Sequence, residues 1–206
     1  MQHPLAIFRF CPVCGSEAFA ENDARSKRCA HCGFTYYHNA AASTVALIEN
    51  SRGELLVVRR ALPPAQGTLD LPGGFVDPGE TLADGCRREV REETGLTLTR
   101  WRFRGLVTFV SDVWPCEYMH LFTADAWTGE QKPCDEGELA WIGKDELLTK
   151  KLWEGDKIFL RLLAEDAPFF SLKLVYRGEE LAAAELDGKR LFPDKTLPGK
   201  ENDPQS

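Results

Sequence analysis

Hydrophobic and polar positions along this chain predict a mixture of strands and helices. Short runs rich in β-branched and aromatic residues predict strands at 43–50, 54–60, 100–110, 118–127 and 139–143, and a closing hairpin over 169–186. Helical periodicity predicts helices at 81–94, 144–150 and 156–166. Because strands and helices do not alternate strictly, the fold class is α+β with a mixed sheet.

Turn residues divide these elements. The SRG sequence at 51–53 predicts a turn, so the strands on either side of it are expected to pair as a hairpin. The stretch 61–80 is rich in Pro and Gly and predicts a loop. Thr81 is placed to cap the helix that follows, and Gly95 suits the left-handed position after its last turn.

Composition and charge narrow the function classes. The chain has 206 residues and a net charge of −7, which argues against a broad electrostatic grip on nucleic acid. A polyphosphate ligand stays compatible with this charge, because divalent cations can invert the local field. No apolar run reaches the length of a membrane span, and the first residues lack a signal-peptide pattern. We therefore expect a cytoplasmic protein.

Four of the seven cysteines form two C-x2-C pairs, each followed by Gly. Two such turns let four thiolates reach one tetrahedral zinc ion, and a closed site of this kind is structural. The pattern predicts Zn²⁺ bound by Cys11, Cys14, Cys29 and Cys32. A redox pair would need only one such motif, and we expect His31, inside the second pair, to be a bystander.

Three carboxylates share one face of the helix predicted over 81–94. Glu89, Glu92 and Glu93 have i, i+3 and i+4 spacing, and like charges at this spacing cost a few tenths of a kcal/mol per pair. Such a face is explained by a bound hard cation such as Mg²⁺, which prefers oxygen ligands. The alternative is an ordinary solvent-exposed helix in which neighbouring arginines compensate the acids.

The stretch 73–96, GGFVDPGETLADGCRREVREETGL, resembles the Nudix box, G-x5-E-x7-R-E-U-x-E-E-x-G-U, in which U is a bulky apolar residue. Every defined position is matched, in order by Gly74, Glu80, Arg88, Glu89, Val90, Glu92, Glu93, Gly95 and Leu96. The resemblance implies a Nudix fold, a mixed β-sheet in an α/β/α sandwich. It divides the chain into a zinc ribbon at 1–38, a Nudix domain at 39–190 and a disordered tail at 191–206.

The resemblance also implies an activity, the hydrolysis of a nucleoside diphosphate linked to another group. Glu89, Glu92 and Glu93, with the carbonyl of Gly73, would bind Mg²⁺ or Mn²⁺. Arg88 would orient the acids. Glu80 would play a supporting, salt-bridging role, and Gly74 would open the box.

In this family a further acid outside the box often completes the site as a base or a ligand. The segment PCDEGELAW offers Asp135, Glu136 and Glu138. We favour Glu136, with Glu138 second. The alternative for each is a solvated acidic loop.

Two further resemblances point to different substrates. A ribbon directly before a Nudix domain is similar to the NADH pyrophosphatase branch, but the S-Q-P-W-P-F-P-x-S motif of that branch is matched here only at Trp114 and Pro115. The segment LWEGDK is similar to the W-P-D-D segment of oxidised-purine triphosphatases. There Trp153 would stack on the base and Asp156 would read it, while Gly155 replaces the other Asp. The alternative for Trp153 is a core aromatic residue.

Three functions therefore stay open at this point. The first is a pyrophosphohydrolase acting on a small nucleotide such as NADH or ADP-ribose, and the second is a purine triphosphate pyrophosphohydrolase. The third is a non-catalytic nucleotide sensor whose ribbon, with Arg25, Lys27 and Arg28, touches nucleic acid. The complete acid set argues against the sensor, and three basic residues are a thin basis for nucleic-acid binding. A homodimer is also left open.

Overall fold

The computed structural model describes residues 3–61 and 66–192. The chain divides into two compact units, Met1–Ala40 and Ala41–Ser206. Of the predicted tail at 191–206, the first two residues belong to the last strand, Lys189–Phe192, and 193–206 lie outside the described residues. Within the described ranges, no helix combines the length and the apolar character needed to cross a membrane.

The first unit is a three-stranded antiparallel sheet with very little core. Its strands, in spatial order, are β1 (Phe19–Asp23), β2 (Ser26–Cys29) and β3 (Thr35–Tyr37). The buried cluster consists of Cys11, Phe19 and Cys29, with Phe34 packed against it. A core of this size supplies little hydrophobic stabilisation, so a unit of this kind depends on a cross-link such as a metal ion.

The second unit contains ten strands and three helices in the part of the chain that the structure describes. In chain order they are β4 (Ala41–Ile48), β5 (Glu54–Arg60), β6 (Leu69–Asp70), β7 (Gly73–Phe75), α1 (Leu82–Thr94), β8 (Thr97–Ser111), β9 (Glu117–Thr128), β10 (Gly137–Gly143), α2 (Lys144–Thr149), α3 (Glu154–Ala164), β11 (Phe170–Arg177), β12 (Glu180–Leu186) and β13 (Lys189–Phe192). All predicted strands and helices are present. The short strands β6 and β7 occupy the stretch predicted as a loop, and β13 follows the predicted closing hairpin.

The strands form two sheets. Seven are ordered β13-β12-β11-β8-β9-β4-β7, and three are ordered β10-β5-β6. The pairs β4–β9 and β8–β11 are parallel, whereas the other pairs are antiparallel. The predicted α+β class with a mixed sheet is confirmed.

The predicted hairpin between β4 and β5 is wrong in its pairing. A turn is present, and the backbone N–H of Asn50 donates to the carbonyl of Glu54 at 3.0 Å. Beyond it the strands separate, and only an isolated bridge joins Glu49 and Leu55. Both strands are buried along most of their length, so each needs partners at both edges and cover on both faces. In the structure β9 and β7 occupy the two edges of β4, and β10 and β6 occupy those of β5, so neither strand has an edge left for the other.

Two hydrophobic clusters lie on opposite faces of the sheets. On the α1 side, Ala46 and Ile48 of β4 pack with Val90 of the helix. On the other side, Leu47 of β4 packs with Leu147 of α2 and Phe159 of α3, and Val45 packs against that cluster. This alternation along one strand is the pattern of a sheet covered on both faces. The predicted α/β/α sandwich is therefore confirmed.

Candidate functional site

Helix α1 begins and ends as the sequence predicts. The Thr81 hydroxyl accepts the backbone N–H of Asp84 at 3.2 Å and donates to the Asp84 carboxylate at 2.6 Å. At the other end Gly95 has a φ of 80°, and its N–H donates to the carbonyl of Arg91 at 3.0 Å. Because Val90 is buried in the core, the side of the helix that carries the acids is left for the site.

Two glycines let the β7 loop lie against both the sheet and α1. A Cβ added at Gly73 would lie 2.0 Å from the carbonyl oxygen of Thr44, so no larger residue fits there. A Cβ at Gly74 would lie 2.5 Å from the carboxyl carbon of Glu89. The loop can therefore approach the acids of the helix as closely as a backbone allows.

Arg88 is the centre of the ion-pair network on this helix. Its guanidinium donates to Glu80 at 2.8 Å, to Glu89 at 2.7 Å and to Glu92 at 3.3 Å. It also donates to the carbonyl of Phe75 at 2.9 Å, which ties the loop to the helix. The hydrogen bonds from Arg88 lower the pKa of Glu80 to about 2. These hydrogen bonds are the contacts that Arg88 needs for its predicted role of orienting the acids.

Glu93 is the acid that lies against the glycine loop. Its carboxylate accepts the backbone N–H of Gly73 at 3.2 Å. Burial raises the pKa of Glu93 to about 8, despite that hydrogen bond, and the negative charges of Glu136, Glu89 and Asp70 add to the rise. Three further acids therefore lie close enough to act on this carboxylate.

Among the acids of the PCDEGELAW segment, the negative charge of Glu136 is, after burial, a main contributor to the raised pKa of Glu93. Glu138 lies opposite Arg59 in the β5–β10 pair. Asp70 was not identified from the sequence. Its only signal is a carboxylate just before the PGG turn, in the string LDLPGG.

The acids of α1 do not converge on one point. Among the described residues, only the four cysteines bring three or more ligand atoms within 4.8 Å of one another. Glu89 and Glu92 are instead both drawn to Arg88. The donors still suit Mg²⁺ or Mn²⁺, because they are carboxylate oxygens and because the buried charge of Glu93 has no cation beside it.

A cavity of about 440 Å³ lies on the other side of the glycine loop. Gly73 and Gly74 form part of its wall, and Trp153 and Asp156, at the start of α3, form another part. Burial raises the pKa of Asp156 well above its usual range, and the negative charge of Asp70 adds to the effect. The structure thus brings the two predicted base-reading residues next to the box.

Aromatic rings form much of this cavity. The ring of Trp153 meets the rings of Trp114 at 5.4 Å and Tyr176 at 5.5 Å, both edge to face. Trp153 also packs against the main core cluster, so it is both a core residue and a cavity residue. At Gly155 a Cβ would lie 2.4 Å from a methyl carbon of Leu174, which leaves no room for a side chain.

Three other cavity residues were missed or only partly recognised from the sequence. Arg60 donates to Asp70 at 3.1 Å at the cavity wall. Trp114 was noted only as part of an incomplete motif. Ser43 lies on β4 inside a run predicted only as a strand. These residues come from separate parts of the chain, and no local pattern links them.

The four predicted zinc ligands converge in the first unit. The sulfur atoms of Cys11 and Cys32 are 3.6 Å apart, and those of Cys14 and Cys29 are 3.7 Å apart. A tetrahedral site with Zn–S bonds of about 2.3 Å places its sulfur atoms about 3.8 Å from one another. The four thiols therefore fit one zinc ion. His31 is not part of the group.

Comparisons with known proteins agree with this geometry. A NUDIX domain model matches residues 39–163. The NAD-capped RNA hydrolase NudC of Vibrio vulnificus is 32% identical over 150 residues, which are 70% of this chain and 54% of that protein. NudC of Haemophilus influenzae strain Rd is 32% identical over 155 residues, 73% of this chain and 57% of that protein. The chain thus spans about half the length of the curated relatives it matches.

Solved structures support the same fold. A MutT protein from Bacillus halodurans has a TM-score of 0.65 at 25% identity, covering 72% of this chain and 99% of that chain. The NUDIX domain of Shewanella oneidensis NrtR, solved with ADP ribose, has a TM-score of 0.56 at 19% identity, covering 63% and 90%. The second likeness concerns the fold alone. Since the matched domain model spans more than half of the sequence, the chain belongs to the Nudix family.

Proposed function

We propose that this chain is a metal-dependent pyrophosphohydrolase that cleaves the diphosphate of a nucleotide. One observation carries the proposal. The loop at Gly73 and Gly74 borders the acids of α1 on one side and a cavity with aromatic walls on the other. A nucleotide needs both environments, one for its phosphates and one for a planar ring.

In this proposal Glu89, Glu92 and Glu93, with the carbonyl of Gly73, hold Mg²⁺ or Mn²⁺. When bound, the metal would neutralise the charge of the diphosphate oxygens and stabilise the leaving phosphate. Arg88 keeps the side chains of Glu89 and Glu92 in place. Glu80 fixes Arg88 from the other side.

The proposed role of Glu136 is to take the proton of the attacking water. Its side chain is exposed, so water reaches it, and its charge acts on Glu93. Proton transfer by a positioned carboxylate contributes about 10²–10⁴-fold to a rate. Glu138 is the second candidate, and it lies opposite Arg59 in the β5–β10 pair.

Two substrate classes are supported by separate observations. The relatives named as NAD-capped RNA hydrolases, and the cysteine pairs ahead of the domain, favour a dinucleotide such as NADH or a related ADP-ribose compound. The place of Trp153 and Asp156 in the cavity favours a purine nucleoside triphosphate. We rank the dinucleotide first, because the sequence likeness to the NudC proteins covers most of this chain.

We further propose that the four cysteines hold a structural Zn²⁺ in a ribbon formed by residues 1–38, ahead of a Nudix domain at 39–190. The cytoplasmic location and the small-nucleotide partner are part of the same proposal. A non-catalytic sensor stays as an alternative that the experiment below addresses, and a homodimer stays open.

The test is turnover with Mg²⁺ on a panel of NADH, ADP-ribose, dinucleoside polyphosphates, dGTP and 8-oxo-dGTP. Glu92→Gln and Glu93→Gln should each lower turnover by about 10²–10³-fold while the melting temperature stays within a few degrees. Glu180→Gln, on the exposed strand β12, is the matched control and should keep full activity.

The outcome assigns the substrate. Cleavage of NADH to two mononucleotides supports the first class, and release of pyrophosphate from a purine triphosphate supports the second. Tight nucleotide binding with no cleavage of any compound would contradict the enzyme and favour the sensor. Unchanged turnover in both glutamate variants would contradict the assigned acids.

A further inference from the structure

Ser43 carries a buried hydroxyl that no protein group satisfies. The residue is 4% exposed, and its Oγ has no hydrogen-bond partner among the described residues. Its backbone is fully engaged, since β4 pairs with β7 on one side and β9 on the other. An unpaired buried hydroxyl costs free energy, so a bound group that pairs with it would remove that cost.

The hydroxyl belongs to the cavity side of the sheet. Successive side chains of a strand point to opposite faces, and Val45 and Leu47 pack on the α2 and α3 side. Ser43 is two residues before Val45 and therefore points to that same side. It lines the cavity that also contains Trp153 and Asp156.

Asp156 is another polar residue that lines this cavity. No described residue donates a hydrogen bond to its carboxyl, and its nearest charged influence is the like charge of Asp70. The rings of Phe109, Trp114 and Trp153 line the same cavity. Two polar groups of different donor and acceptor capacity thus face one aromatic-walled space.

The chemistry of these groups excludes several ligands. A phosphate near Asp156 would meet the carboxyls of Asp156 and Asp70, and like charges repel, while the nearby guanidinium of Arg60 is already hydrogen-bonded to Asp70. A metal ion there would have the carboxyl of Asp156 as a ligand, but Arg60 already binds the carboxyl of Asp70 at this wall, and a hard cation prefers several free oxygen ligands. A planar ring can pack against the aromatic walls of the cavity. Its polar edge must then offer an N–H to the carboxyl of Asp156 and a hydrogen-bond acceptor to the hydroxyl of Ser43.

We propose that Ser43 and Asp156 together bind an amide group carried on a planar aromatic ring, with the Ser43 hydroxyl donating to the amide carbonyl and the Asp156 carboxyl accepting its N–H. This inference rests on the proposed function, because it takes the ligand to be part of the nucleotide. Ser43 thereby becomes a specificity-determining residue. Among the rings of the proposed substrates, the lactam of an oxopurine and the carboxamide of nicotinamide offer such an amide, whereas adenine offers none.

The experiment measures binding of nucleoside monophosphates in metal-free buffer by quenching of tryptophan fluorescence. One pair of probes is GMP and AMP, and the other is nicotinamide mononucleotide and its nicotinate analogue. The wild-type chain should bind the amide member of one pair more tightly than its counterpart. Ser43→Ala should weaken binding of that probe by about 5–20-fold and leave its counterpart unchanged. The pair that discriminates identifies the source of the amide.

Stability provides a second readout. Ser43→Ala removes an unpaired hydroxyl, so its melting temperature without ligand should equal or exceed that of the wild type. The matched control is Ser26→Ala. Ser26 is also fully buried, but its Oγ accepts from Asn22 at 3.0 Å, so this change should lower stability and leave probe binding unaltered.

Several results would overturn the inference. They are equal binding of both members of each pair by the wild type, no binding of any probe, or unchanged binding in Ser43→Ala. A lower melting temperature of Ser43→Ala would show that the hydroxyl has a protein partner, and would also overturn it. Turnover of the intact substrate, measured separately, tests the proposed function. Discrimination without turnover would contradict the enzyme alone, and turnover without discrimination would contradict only the role of Ser43.

Discussion

The two proposed metal sites of this chain differ in how far the protein alone assembles them. The sulfur atoms of the four cysteines all lie within 4.8 Å of one another. The acids of α1 stay apart, and Arg88 binds Glu89 and Glu92. Backbone turns at Gly15 and Gly33, with φ of 70° and 77°, fix the thiols. The backbone thus preforms the four-cysteine site, which is of the closed, structural kind. The proposed site on α1 is of the open, reactive kind, and there a bound ion would have to draw the side chains together.

The largest expected effect comes from removing zinc. Structural zinc in small domains contributes an apparent binding free energy of about 10–16 kcal/mol, and the core of the first unit is too small to replace it. Cys29→Ser, or treatment with a strong chelator, should unfold that unit, seen as collapse of its amide resonances, with loss of one zinc per chain in metal analysis. Cys116→Ser, at an exposed thiol outside the group, is the control and should change neither. Retention of zinc in Cys29→Ser would contradict the four-cysteine site.

A smaller effect is expected from a matched pair of glycine substitutions. In Gly74→Ala the new methyl would meet the carboxyl of Glu89 at 2.5 Å and displace it. A misplacement of about 1 Å in a catalytic group can cost about 10²-fold, so turnover should fall by that order. In Gly15→Ala the methyl meets nothing within 4 Å, but a φ of 70° is strained for alanine. That change should cost about 1–2 kcal/mol in the first unit.

Measurements of kcat and of thermal unfolding on the same two variants separate these causes. Gly74→Ala should lose activity with little loss of stability, because the new methyl would clash with the carboxyl end of the flexible Glu89 side chain. Gly15→Ala should lose stability of the first unit. Equal activity in Gly74→Ala and the wild type would mean that the position of Glu89 does not matter to the reaction.

The smallest effect is a pH dependence of stability in the absence of metal. The pKa of Glu93 rises from 4.5 to about 8 on folding, so the folded chain binds this proton more tightly than the unfolded chain. Its contribution to stability is present in full below pH 4.5 and is lost as the pH rises through about 8. After allowance for solvent screening, the loss should be about 1–2 kcal/mol.

Chemical unfolding at several pH values, with a chelator present, measures this contribution. Glu93→Gln cannot titrate, so the difference in stability between this variant and the wild type should grow from low to high pH. Glu92→Gln, at an exposed position of the same helix, should follow the wild type. Addition of Mg²⁺ should reduce the difference. A wild-type profile parallel to that of Glu93→Gln would contradict the burial of this charge.

Local features of the fold were predictable from the sequence, and pairings between distant segments were not. Helix α1, its cap at Thr81 and its end at Gly95 depend on residues within one turn of each other. The convergence of the four cysteines follows from two short motifs. The hairpin was predicted wrongly, because the partners of β4 and β5 come from strands far along the chain.

The cavity shows the same limit. Ser43 and Asp156 are separated by most of the second unit in sequence, yet both line one space. Asp70 lies on a two-residue strand inside a stretch predicted as a loop. Its negative charge adds to the raised pKa of both Glu93 and Asp156. A hydroxyl in an apolar strand and an acid before a turn are common in any sequence, so only the assembled fold identifies these residues.

The separation of β4 and β5 has a consequence for how quickly the chain folds. Neighbours in the sequence do not pair here, and β4 must instead meet β9 in parallel after the whole Nudix box has been passed. Closing so long a loop costs chain entropy, and the contacts between the strands offset this cost only after the loop has closed. Proteins with many such long-range contacts fold slowly. During that interval the apolar strand β4 has an unpaired edge, which can pair with another chain. Aggregation during refolding should therefore depend strongly on protein concentration. It should stop once β9 has paired with β4 and covered the open edge.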